Sequence, residues 1–164
     1  MGLIINKTIP MLKKGYPTVS DKYNVAGGIL GGSDPVAFGE LVKKGSTAGY
    51  FEKASSISNV ADICGFALAT NVKLTENWPG TTVQVNPGEP FNLLIGGFIA
   101  IELDSDATVS YITANAPVAV ILATGKLTTS DKIDNSTIVA LPNCVFTGIN
   151  EAHGTAKFAE IFVK

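Results

Sequence analysis

Apolar segments of strand length recur along this chain, separated by short clusters of Gly, Pro, Asn, Asp and Ser. From residue 36 onward they read VAFGELV (36–42), AGYFEK (48–53), ICGFALA (63–69), TVQVN (82–86), FNLLIGGFIAIEL (91–103), ATVSYI (107–112), PVAVILA (117–123), STIVAL (136–141), CVFTGI (144–149) and AKFAEIFV (156–163). Several alternate in hydropathy with the period of two that a half-buried strand requires. No segment holds apolar residues at helical spacing for more than a turn, although SSISNVADI admits one short helical turn. About ten strands at roughly ten-residue spacing predict an all-β chain, a single β-barrel or β-sandwich domain. Gly96-Gly97 leaves 91–103 as either two strands or one bent strand.

With 164 residues the chain is long enough to bury a core without staples. Charged residues make up only 16% of it, and the formal net charge is −2. All 12 basic residues are lysine. Without arginine there is no bidentate grip on phosphate or guanine edges, so the composition argues against nucleic-acid recognition and phosphoryl transfer. The N-terminal sequence MGLIINKTIPMLKKGYP has apolar runs broken by Asn6, Lys7 and Pro10, unlike a secretory leader. The longest apolar run, FNLLIGGFIAI, is too short for a membrane span. The expectation is a soluble protein made in a cytoplasm, with no membrane partner.

Candidate chemistry is sparse. His153, the single histidine, lies in the turn-like NEAHGTA and has no GxSxG companion. Cys64 and Cys144 sit in apolar strands without CxxC spacing; two small thiols are favoured over a bridge. Glu102, Asp104 and Asp106 alternate through ELDSDAT and lack the glycine and closing Glu of a calcium loop, so a turn accounts for them. The glycine doublets have neither nucleotide-binding form. The expectation is no catalytic residue, no metal site and no cofactor.

Two features point outward. Residues 1–34 read as an extended N-terminal arm leading into a domain over 35–164. The arm has an apolar start (Leu3, Ile4, Ile5), a basic pair (Lys13, Lys14) and a glycine-rich tether, YNVAGGILGGSDP. Ordering such an arm costs about 1–2 kcal/mol per residue in backbone entropy. Burying each of its three apolar residues returns about 1.5–3 kcal/mol. One arm is therefore nearly balanced, and several copies on an oligomer add avidity. Trp78, in ENWPGTT, either folds back on the core or marks a contact surface.

The stretch DPVAFGELVKKGSTAGYFEKASSISNVADICGFALAT resembles a pattern of the bacteriophage structural cement (capsid decoration) family. In that pattern a strand with Phe-Gly leads to a polar strand and then to a Gly-Phe-Ala strand. Here the pieces are 35–42, 48–53 and 63–70. VNPGEPFNLLIGGFIAIEL, APVAVILA, CVFTGI and AKFAEIFV continue the pattern, and YNVAGGILGGSD fits its glycine-rich lead. Residues 1–15 match no part of it, and ENWPGTT is longer and more aromatic than the pattern has.

The resemblance implies a non-enzymatic virion protein that binds the outer capsid surface, with the major capsid protein as partner. It further implies a homo-oligomer, dimer or trimer, made in the host bacterial cytoplasm. Leu3, Ile4, Ile5, Tyr16 and Trp78 are the candidate capsid contacts. The alternative is a carbohydrate- or receptor-binding β-module of a phage head fibre. That module would present a patch of exposed aromatics, for which Trp78 and Tyr50 are the candidates. A small hydrolase would need His153 as its base.

Overall fold

The computed structural model describes residues 12, 14–18, 23–69 and 84–164. Its strands are β1 (Tyr23–Leu30), β2 (Val36–Ala37), β3 (Leu41–Lys44), β4 (Tyr50–Lys53), β5 (Ile63–Leu68), β6 (Gln84–Val85), β7 (Pro90–Leu103), β8 (Pro117–Ile121), β9 (Leu127–Thr128), β10 (Ile138–His153) and β11 (Ala156–Val163). Three single turns of 3-10 helix, at Val60–Asp62, Val109–Tyr111 and Ser130–Lys132, are the only helical pieces among the described residues. The chain is all-β.

Nine strands form one mixed sheet, which closes on itself twice. One circuit runs β1, β4, β3, β5, β7 and back to β1; the other runs β7, β11, β10, β8, β9 and back to β7. Both share β7, a single 14-residue strand. Its register against β1 slips where Asn24 faces Gly96 and Val25 faces Leu94, leaving Ile95 as an extra residue. The slip moves the inward face. Before it Phe91 and Leu93 point into a core with Leu30, Val36, Val42 and Val85. After it Ile99, Ile101 and Leu103 point into a second core with Val118, Val120, Leu127, Phe146 and Ile161. β5 lies between the two, with Ala67 in the first and Phe66 and Leu68 in the second. A strand buried on both faces reads as a continuous apolar run, which explains ICGFALA and FNLLIGGFIAI.

Local chemistry corrects several sequence expectations. Residues 36–42 are two strands, because Gly39 adopts φ 80° and turns the chain. Glu40 N–H donates to Ala37 O (3.1 Å), and the Glu40 carboxylate accepts from Ala37 N–H (2.9 Å). Residues 107–112 form no strand; they hold a single helical turn at Val109–Tyr111. Their buried members, Ala107 and Ile112, are five apart, an odd separation that cannot place both on one strand face. The expected strands 136–141 and 144–149 are one strand, β10, whose register against β8 shifts between Ala140 and Val145, around Asn143 at φ 61°. β9 was not expected; it is two residues long.

The glycine-rich tether is corrected too. Tyr23–Leu30 is a sheet strand paired with β7 from Tyr23↔Gly97 to Ile29↔Pro90. A Cβ on Gly28 would lie 2.3 Å from the Phe51 ring, so glycine here admits an aromatic ring into the first core. The chain before it is also attached. Gly15 N–H donates to Ala100 O (2.8 Å), its carbonyl accepts from Ala69 N–H (2.8 Å), and Pro17 bridges to Ile99. Leu12, the first described residue, is buried as well.

Candidate interaction surface

Of the expected contact residues, Leu3, Ile4, Ile5 and Trp78 lie outside the described residues. Tyr16 is described, and is half-buried. Its carbonyl accepts from Ala100 N–H (3.1 Å), and partial burial raises its phenol above the ordinary range. Tyr16 therefore belongs to a segment strapped along β7. Just before it, Leu12 N–H donates to Glu151 Oε2 (3.1 Å), and Glu151 Oε1 lies 3.2 Å from His153 Nε2. Leu12 thus sits beside the β10–β11 hairpin, whose tip carries His153.

The groups that looked like chemistry have structural partners. Glu102 and Asp104 each pair with a lysine, Lys14 and Lys126, at 3.2 Å. Asp104 also accepts from Asp106 N–H (3.1 Å), closing the turn that the sequence suggested. Partial burial raises the Asp104 carboxyl, but the Asp106 N–H and the Lys126 ammonium outweigh it and hold the group below its ordinary value. Glu102, Asp104, Lys14 and Lys126 line a cleft of about 290 Å³ between the two circuits, together with Glu40 and Lys53, an ion pair at 2.9 Å. Three carboxylates facing three lysines leave no excess charge to concentrate a charged ligand. Cys64 and Cys144 are free thiols packed against different cores. Cys64 is only half-buried, and burial pushes the Cys144 thiol up to about 12. Asp131 accepts from the hydroxyls of Thr129 (2.6 Å) and Thr108 (2.8 Å), a network that ties two loops together.

Eight large apolar side chains are exposed among the described residues. Tyr23, Val25 and Ile29 project from the outer face of β1, and Tyr50 stands beside Ile29 in register. Ile95, the extra residue of β7, is exposed nearby. Val109 and Tyr111 on the helical turn, and Ile149 on β10, are exposed elsewhere. The sequence reading missed the β1 face. Its signal was the alternation of Tyr23, Val25, Gly27 and Ile29 within a stretch that the glycine doublets made look like a tether.

The comparisons agree with a surface-binding role. The model of the family described as "Structural cement protein (E217 gp24/Pam3 gp6)" matches residues 5–160. No curated protein matches the chain. Among solved structures, a chain from the capsid of Myoviridae phage XM1 has the same fold. Its TM-score is 0.68 at 18% identity, covering 100% of this chain and 97% of that one. With a family model spanning nearly its whole length, this chain belongs to the phage structural cement protein family.

Proposed function

We propose that this protein binds the outer surface of the phage head through the major capsid protein and locks neighbouring subunits, acting as a homo-oligomer, a dimer or trimer. A cement protein is a structural, non-enzymatic component of the virion that associates with the capsid, and the family match over residues 5–160 is the observation that carries this reading. The doubly closed sheet supports it by supplying a rigid body. The apolar segment before Leu12, with Leu3, Ile4 and Ile5, supplies an attachment arm, and Trp78 is a second contact candidate. Avidity from several weak arms suits a clamp that seats on a symmetric shell.

The deletion that tests the arm must stop at residue 11. Removing residues 1–15 would take away the hydrogen bonds of Leu12 and Gly15 to the body. The experiment is co-sedimentation of the purified protein with undecorated particles, with copy number and position read from the particle. Saturable binding at a fixed stoichiometry on the outer surface is expected. Loss of residues 1–11 should weaken it while leaving the melting temperature unchanged. Failure of the full-length folded protein to bind any undecorated head of its own phage overturns the capsid reading. Full binding by the truncated protein overturns the arm.

A further inference from the structure

β1 overhangs its neighbour. On one side it pairs with β7 along its length, from Tyr23 to Ile29. On the other it pairs with β4 only at Ile29 and Leu30. The orientation of the open groups follows from their neighbours. Ile29 N–H and Gly31 N–H donate toward the β4 side, to Gly49 O (3.5 Å) and Phe51 O (2.7 Å). Leu30 N–H donates the other way, to Glu89 O (3.0 Å). Strand alternation then directs the N–H and C=O groups of Val25 and Gly27 away from β7. No hydrogen bond to another described strand meets them there.

Natural sheets guard such an edge with Lys, Pro or a very short strand. Here the edge reads YNVAGG, six residues with neither Lys nor Pro. Tyr23 and Val25 are each 41% exposed beside it, and space is open around Gly27. An unguarded edge of this kind is a template for strand addition.

We propose that this edge receives residues 3–9, LIINKTI, of a second copy of the chain as an added β-strand. The inference rests on the reading of residues 1–11 as an attachment arm and names its immediate receptor. The segment suits a strand, with Ile, Ile, Thr and Ile among its seven residues. Reach decides that the exchange is between copies. Leu12 is held by Glu151, which faces Phe158, which in turn faces Glu102 near the far end of β7. The middle of the open edge, Ala26, faces Leu93. Nine residues of β7 separate those levels, roughly 30 Å along the strand. From Leu12 back to Asn6, the middle of the arm strand, the chain spans at most roughly 20 Å. The backbone from Pro17 to Leu12 also runs away from β1, so a chain would have to reverse to reach its own edge. A partner's arm meets neither restriction.

The test uses the full-length protein, with Gly27→Pro as the variant. Proline at this position removes an N–H on the open side and spares the ladder to β7. Analytical ultracentrifugation should show an oligomer whose dissociation constant rises about ten-fold or more in Gly27→Pro and on deletion of residues 1–11, with melting temperatures within a few degrees of the parent. Cross-linking gives an arm that does not depend on that variant. Chains carrying Ile5→Cys and chains carrying Val25→Cys, both with Cys64→Ser, are mixed with different isotope labels and treated with a short bifunctional maleimide. Arm-to-edge cross-links between labels support the proposal. An oligomer unchanged in the folded Gly27→Pro protein overturns it, as does the absence of inter-label cross-links. Cross-links from Ile5 to the major capsid protein in particles, with none to Val25, overturn the receptor assigned here and leave the attachment arm standing.

Discussion

Gly15 and Gly39 lie back to back: a Cβ built on Gly39 would fall 2.7 Å from the Gly15 nitrogen, and one built on Gly15 would fall 2.4 Å from the Phe38 Cβ. Both adopt left-handed backbone, at φ 79° and 80°. The contact fastens the chain entering the body to the turn between β2 and β3. Alanine at either site meets both the positive φ and a backbone neighbour. Gly39→Ala should cost about 2–4 kcal/mol. Thermal melting of the variant checks this, and an unchanged melting temperature would mean that the two segments separate without cost.

Phe66 is 1% exposed on β5, in the wall between the two cores. Its truncation to alanine should destabilise the protein by about 3–5 kcal/mol through lost burial and a residual cavity. Urea unfolding measures it. The exposed Val109→Ala, 43% accessible, should stay within about 0.5 kcal/mol.

Asp134 folds the loop before β10. Its carboxylate accepts from Ile138 N–H (2.8 Å), the Thr137 hydroxyl, Ser136 N–H (2.8 Å) and Thr137 N–H (2.7 Å). These bonds, that from Ile138 N–H first, hold the carboxyl well below the usual carboxylate range. A folded-state value below the unfolded one, about 3.9, makes the stabilisation complete above that pH and progressively lost as pH falls beneath it. Asp134→Ala should therefore melt below the parent at pH 7. The gap should hold constant down to about pH 5 and narrow as the pH falls further. A gap independent of pH to the acid limit would assign the effect to packing.

The two thiols should react differently. Partial burial raises the Cys64 thiol first, with Lys44 lowering it and Asp62 raising it, yet its half-exposed position leaves it accessible. Cys144 is 5% exposed and its thiol is pushed up to about 12. Iodoacetamide on the folded protein should label Cys64 slowly, faster at higher pH, and leave Cys144 untouched until denaturant is added. Equal labelling of both, read by peptide mass spectrometry, would contradict the burial of Cys144.

The strand content was legible because alternation is local: the residues of AKFAEIFV that face the core, Ala159, Ile161 and Val163, are fixed by their spacing alone. The turns of Gly, Pro and Asn were legible for the same reason. The absence of arginine and of clustered ligands already weighed against nucleic-acid and metal chemistry. Only tertiary structure decided which alternate residues of β7 face the second core, Leu94 before the slip and Ile99, Ile101 and Leu103 after it, because a one-residue slip at Ile95 is set by its pairing with β1 and not by anything in FNLLIGGFIAI. It also decided that Ala107 and Ile112 reach a core from either side of a helical turn, and that YNVAGGIL is a strand. Glycines carry no alternating signal of their own; the Phe51 ring seated against Gly28, and the pairing of Gly28 with Phe91, sixty-three residues further along the chain, supply the order. The open edge of β1 is likewise a property of neighbours. Local sequence sets what a backbone prefers, but which of its hydrogen-bonding groups stay unpaired depends on where the next strand stops.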